Sequence, residues 1–240
     1  MPTVKYRFND PNMIARRTKL AVPGWAGAQE PRADRSHEQP WHCIPFSEAS
    51  ASGIEIPYPY DEELHVTFGD GLFRFKDAEG ESIEDGPGAP PFRSFGAEYY
   101  TLQTSMDLKV DETFAIKVET HPRFYTDRTG TVPVAVPAII RRWWPMIYFV
   151  VFKAPMPGQT DIFRPGEPFV QLSIIEADSA ITLEEMPAEE AAEREVQSER
   201  IYQSRQTLAS GTRWTSSTNT IFDGTYRRLY SAAHSSKRQK

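Results

Sequence analysis

The chain has 240 residues, of which 39% are hydrophobic and 12% aromatic, and it carries a net charge of -6. This composition supports a packed core and excludes disorder of the whole chain. The negative balance excludes a protein that coats nucleic acid with its entire surface, and the single cysteine, Cys43, excludes intrachain disulfides and four-cysteine zinc sites.

The 20 prolines outnumber the 14 glycines, which suits short strands joined by rigid turns. Residues 1–6 lack the basic-then-apolar pattern of a signal peptide. No run reaches the roughly 18 apolar residues of a membrane span. A cytoplasmic protein without membrane contact is the expectation.

Residues 3–8 alternate apolar and polar, which predicts an opening strand. Asn9-Asp10-Pro11-Asn12 ends it as a turn. Residues 13–40 are rich in charge, Gly and Pro and read as a loosely ordered arm, with a short strand around Leu20–Val22. A β-domain is expected over 41–178. It starts at Trp41-His42-Cys43-Ile44-Pro45-Phe46, followed by a helical turn over 47–52. Ile54, Ile56 and Tyr58 then fall on one strand face, and Pro57 and Pro59 predict that this strand lies at a sheet edge. Residues 63–66 and 71–75 read as a hairpin, because Gly69, Asp70 and Gly71 supply the positive φ of a tight turn. Residues 77–91 predict a long surface loop that separates an N-terminal sheet from a central one.

Strands are predicted over 99–108, 114–118 and 132–140, the last broken by Pro133 and Pro137. The most apolar and aromatic run, 139–152, and the following 163–175 read as the central strands. Residues 146–152 are apolar on both faces, which predicts a strand between two layers or against another subunit. Past Ile175 the character changes. Residues 182–208 hold seven glutamates and three arginines, and Pro187 fits a first helical turn, so an acidic surface helix is expected within 179–210. Residues 211–240 form a polar Ser/Thr-rich tail, with six Lys/Arg against one acid from Arg213 onward. The fold expectation is mainly β, a two-layer sandwich or partly closed barrel, with one C-terminal helix and a basic tail.

Arg141-Arg142-Trp143-Trp144 is the first functional candidate. Two guanidiniums beside two indoles suit an anionic or planar ligand, through bidentate bonds and stacking. The bland alternative is that the tryptophans are core and the arginines rim. Arg93 completes this candidate ligand site. The five histidines, His37, His42, His65, His121 and His234, show no metal-ligand spacing. Glu119 and His121 share a strand face without a third ligand in sequence, so no metal and no cofactor is expected. His42 beside Cys43 would point away from it on a strand, which favours an inert thiol. Neither a Gly-x-Ser-x-Gly elbow nor a phosphate-binding glycine loop occurs. Only the tail, residues 211–240, offers nucleic acid a basic contact. It could equally pair with the acidic helix or be solvated.

The order Trp41-His42-Cys43-Ile44-Pro45, Ser94-Phe95-Gly96, a Trp-Pro strand and Gly166-Glu167-Pro168-Phe169 resembles a family of bacterial domains of unassigned function. The resemblance spans about residues 41–176, and Gly-Glu-Pro-Phe is its most specific part. That family carries acids before the central tryptophan, where this chain has Arg141 and Arg142. Arg93-Ser94 and Gly166-Glu167-Pro168-Phe169-Val170-Gln171-Leu172 are also similar to motifs of the β-clip deoxyuridine triphosphatases and dCTP deaminases. That likeness implies a β-clip or jelly-roll-like fold. The central catalytic Asp and Gly-rich arm of those enzymes are missing from the expected places. Two functions follow. One is a non-catalytic β-module that binds a small anionic ligand or a protein partner, as a homo-oligomer or alone, through Arg93, Arg141, Arg142, Trp143 and Trp144. The other is a nucleotide- or sugar-phosphate-processing enzyme with Asp127 or Glu119 as base.

Overall fold

The structure is a computed structural model. It describes residues 2–8, 10–19, 44–83, 91–144, 146–178, 180–208, 214–215 and 221–222. The sequence readings at Leu20–Val22, at 41–43 and over most of the 211–240 tail fall outside these residues. The chain divides into two units. The first comprises residues 1–20 and 50–179 and is built of antiparallel sheets. The second comprises residues 21–49 and 180–240. It holds most of the short helix α1 (Ile44–Ser50), the helix α2 (Ala188–Leu208) and the pairing of Trp214–Thr215 with Ile221–Phe222. The fold is mainly β, and among the described residues no sheet closes into a barrel.

A five-stranded sheet runs β2-β3-β12-β8-β9. Its members are β2 (Arg16–Arg17), β3 (Ile54–Pro57), β8 (Phe114–Glu119), β9 (Ala138–Ile140) and β12 (Pro168–Glu176). The predicted edge strand at Ile54–Tyr58 is therefore internal. Pro57 is tolerated because it stands opposite Pro168 on one side, while on the other β2 pairs only Ile54 and Glu55. A second sheet surrounds β7 (Tyr99–Lys109). Strands β1 (Lys5–Phe8) and β6 (Phe92–Ser94) share one edge of β7, and β10 (Ile147–Lys153) takes the other. Three strands, β11 (Asp161–Phe163), β4 (Leu64–Gly69) and β5 (Leu72–Lys76), form the third sheet. Asp70 and Gly71 join β4 to β5 with φ of 54° and 74°, as the hairpin reading requires. Because β3 pairs β12 and β4 pairs β11, residues 77–91 do not separate an N-terminal sheet from a central one.

The run 139–152 is not one central strand. Its ends belong to β9 and β10 in different sheets, and residues 141–144 form the turn between. The central strands are β7 and β12. In β10 a bulge between Ile147 and Phe149 shifts the alternation by one, so Ile147 and Val150 both face the core with Phe152. Phe149 emerges on the other face, which explains why the strand reads as apolar on both sides. Only Ala138–Ile140 of the predicted 132–140 strand pairs as a ladder, because Pro133 and Pro137 lack donors.

Core side chains come from all three sheets. Tyr58, Phe73, Phe75, Phe92, Tyr100, Phe152, Phe163 and Phe169 pack as one aromatic cluster, with ring centroids 4.9–6.3 Å apart. Tilted and edge-on contacts dominate, as the ring quadrupole favours. Helix α2 begins at Ala188 rather than near 182. Pro187 disfavours helical backbone at Met186, and its carbonyl accepts from Ala191 N–H at 2.9 Å.

Gly53 opens β3 with φ +77°, and a Cβ there would stand 2.3 Å from the carbonyl oxygen of Leu172. Gly53→Ala is expected to lower the unfolding free energy by more than about 2 kcal/mol, the left-handed strain plus the displacement of β12. Urea denaturation of the two proteins measures it. A loss under about 1 kcal/mol would show that the contact relaxes at little cost.

Candidate functional site

Arg141, Arg142, Trp143 and Trp144 form the turn that follows β9, closed by Trp144 N–H to Arg141 C=O at 2.9 Å. A turn frees these residues from strand alternation, so both arginines find partners nearby. Arg141 donates to the Ala177 carbonyl at 2.8 Å and lies 3.4 Å from Asp178. Arg142 pairs with Glu112. The indoles meet edge to face at 5.6 Å. Trp143 is 73% and Trp144 47% exposed, so neither is core. Arg93 belongs to the other large sheet. It donates to Gln103 at 2.9 Å and lies 5.4 Å above the Phe149 ring. The structure thus joins four of the five expected ligand residues in one turn and gives Arg93 a different set of partners.

The two expected bases have their own partners. Glu119 accepts from Lys117 and, at 2.8 Å, from Ser173. Asp127 accepts from Thr129 at 2.9 Å and from Gly130 N–H at 2.7 Å. Burial raises its pKa, but the Thr129 hydroxyl and the backbone N–H groups outweigh that and lower it overall. A carboxylate held ionised in this way is a weak proton acceptor at neutral pH. The β8–β9 register sets Lys117 opposite Ile139, which carries Glu119 toward Pro137 and Arg141 toward the opposite end of the ladder.

The sequence reading missed a denser charged row. Glu55 lies on the polar face of β3, yet its side chain is only 3% exposed. It takes Arg16, the Lys19 N–H at 3.3 Å and His121 Nε2 at 3.1 Å. His121 Nδ1 in turn accepts the Arg123 N–H at 3.2 Å, capping the 3-10 helix Pro122–Tyr125. The ring proton therefore sits on Nε2 and is donated to Glu55. Burial lowers the His121 pKa more than Glu55 raises it, so the imidazole is neutral. With both ring nitrogens engaged, His121 orients its neighbours and has no lone pair left for a substrate proton. The pairing of β12 with β3 on one side and β8 on the other carries Glu55 to within reach of His121, 66 positions later, and no spacing rule reveals this.

Arg123 continues the row. Its Nε donates to Pro168 C=O at 2.6 Å, and its Nη1 pairs with Glu167 at 2.8 Å. Arg164 lies 3.7 Å from the same carboxylate and 3.5 Å from Glu63, which holds His65 at 3.0 Å. Glu167 and Pro168 are the middle of the Gly-Glu-Pro-Phe motif. Their visible role is to fasten the start of β12 to the 3-10 helix. Among the described residues no three His, Cys, Asp or Glu side chains gather as metal ligands. No helix among them is long and apolar enough to cross a membrane.

One carboxyl does titrate near neutrality. Asp161 accepts the Tyr100 hydroxyl at 2.7 Å inside the aromatic cluster, and burial pushes its pKa up to about 7. A shifted acid marks a candidate catalytic group. Tyr100 has no exposed surface and Asp161 only 6%, so this pair is closed to a substrate.

No family model and no curated protein matches the chain. The Gly-Glu-Pro-Phe resemblance therefore has no family model behind it. Among solved structures, EIAV dUTPase in its native form is similar at a TM-score of 0.36 and 10% identity, over 77% of this chain and 99% of that one. At that score the likeness carries no argument about fold or activity.

Asp161 generates a pH prediction. Its folded pKa of about 7 lies above the roughly 3.9 of an unfolded Asp. Between these values the folded state binds the proton more tightly, so stability falls as pH rises from about 4 to about 7, by on the order of 4 kcal/mol. His121 acts oppositely, losing stability as pH falls through about 6.5. Asp161→Asn is expected to abolish the Asp161 decline and to exceed wild type in stability at pH 8. Urea midpoints of both proteins at pH 5 and 8 check this, and a variant profile parallel to wild type would refute it.

Proposed function

We propose that the chain is a non-catalytic binding module whose contact surface is the 141–144 turn, and that this surface takes a protein partner presenting acidic groups beside an apolar pocket. The observation that carries this reading is the exposure of Trp143 and Trp144 beside two arginines that local pairs hold in place. Tryptophan and arginine are the residue types that dominate interface energetics. A projecting turn suits insertion into a partner's pocket better than enclosure of a small molecule. The closed hydrogen bonding of Asp127, His121 and Asp161 supports a module without acid–base chemistry. Arg93, over Phe149 on the other large sheet, is read as a separate cationic contact.

The test has two arms. Trp143→Ala/Trp144→Ala is expected to keep the unfolding free energy within about 0.5 kcal/mol of wild type, as for exposed side chains without a structural task. A loss above about 2 kcal/mol would return the indoles to a structural role. Incubation with deoxyuridine triphosphate, ATP and glucose 6-phosphate in the presence of magnesium is expected to release no phosphate or pyrophosphate above the protein-free rate. Turnover that Glu119→Gln or Asp127→Asn removes would replace this reading with the enzymatic one.

A further inference from the structure

We propose that Arg123 and Arg164 form a binding site for the phosphate group of a small ligand, and that the Glu167 carboxylate is the internal occupant this group displaces. The site lies away from the 141–144 turn and does not depend on its role.

The argument begins with the donors. Two guanidiniums face the Glu167 carboxylate, at 2.8 Å from Arg123 and 3.7 Å from Arg164, and Arg164 also lies 3.5 Å from Glu63. The Arg123 fork is fixed from behind by its bond to Pro168 C=O and by its place in the 3-10 helix that His121 caps. A fork held in this way loses little entropy when it binds an oxyanion. Its remaining nitrogen, Nη2, is buried and has no acceptor. A buried donor without a partner carries an unrecovered desolvation cost, which an additional anionic oxygen would offset.

Burial is the largest influence on Arg123 and lowers its pKa; Glu167 and Asp127 raise it and Arg164 lowers it, and burial prevails. Among the groups holding Arg123, Glu167 is the exchangeable one. Its side chain is 40% exposed, whereas Arg123 is 14% exposed. Glu167 follows the turn at Gly166, whose φ is +72°. As the more exposed partner of this pair, the Glu167 carboxylate is the group that an incoming anion can replace. Arg164 also meets the Thr131 hydroxyl at 3.3 Å, which places a neutral polar group beside the same guanidinium. A phosphate has more acceptor oxygens than the carboxylate it replaces and can engage Nη1 and Nη2 together.

Isothermal titration with inorganic phosphate tests the site, with succinate as the carboxylate arm. Saturable phosphate binding is expected in wild type, about fivefold tighter in Glu167→Gln, where the charged competitor is gone. Arg164→Gln, at a half-buried position, is expected to weaken it about tenfold or more. Arg123 is left intact because it fastens β12. Thermal melts confirm that both variants are folded. Absence of saturable heat at millimolar phosphate in wild type and in folded Glu167→Gln would overturn the proposal. Unchanged binding in folded Arg164→Gln would place the anion elsewhere and overturn it as well. Succinate binding as tightly as phosphate would refute the phosphate assignment.

Discussion

The buried carboxylate of Glu55 is the constraint on which the polar side of the first unit depends. It sits where an alternating strand should meet solvent, yet Arg16, the Lys19 N–H and His121 surround it. A buried carboxylate is tolerable only when its partners compensate the lost hydration. The partners come from two segments, 16–19 and His121, so satisfying one charge ties both of them to β3. Arg16 holds the two-residue strand β2 at the sheet edge. Lys19 continues that strand. His121 sets the 3-10 helix, and that helix aims Arg123 at the start of β12. Removing the carboxylate would leave Arg16 and His121 without the group they converge on.

The opposite faces of the same strands build the core. Ile56, Leu172, Ile116 and Val118 turn inward and join the core that holds the aromatic cluster. Two kinds of order therefore share one sheet. The apolar face is non-directional and tolerant. The polar face is specified by hydrogen-bond geometry and fixes which segments lie where. Asp161 is the exception, a carboxyl within the apolar side that is held by a single tyrosine.

Local features were legible in the sequence. Asp70-Gly71 announced a hairpin because only certain residues adopt those angles. The burial of Ile56 and Tyr58 followed from alternation alone. What could not be read was long-range pairing. Ile54–Pro57 looked like an edge strand because its prolines counted against an interior place, and nothing local revealed that Pro57 would face another proline. The bulge in β10 made a one-sided strand look two-sided. The site candidates show the same limit. Arg141 to Trp144 were identifiable by type, but their exposure depended on a turn rather than a strand. Glu55 and His121 were ordinary residues until the sheet brought them together.

The place of β12 in the topology also has a consequence for how the chain assembles. β12 is the last strand of the first unit and the centre of its five-stranded sheet, pairing β3 from more than a hundred residues earlier. Before it is available the β7 sheet and the β11-β4-β5 sheet can form, but nothing joins β3 to β8. Sheets dominated by such distant pairings fold at the slow end of the range for their size. During synthesis, then, β3 leaves the ribosome with its apolar face and one edge unsatisfied, and stays so until residue 176 has emerged. Pro57, which offers a wrong partner no backbone donor, would disfavour mispairing of that waiting edge.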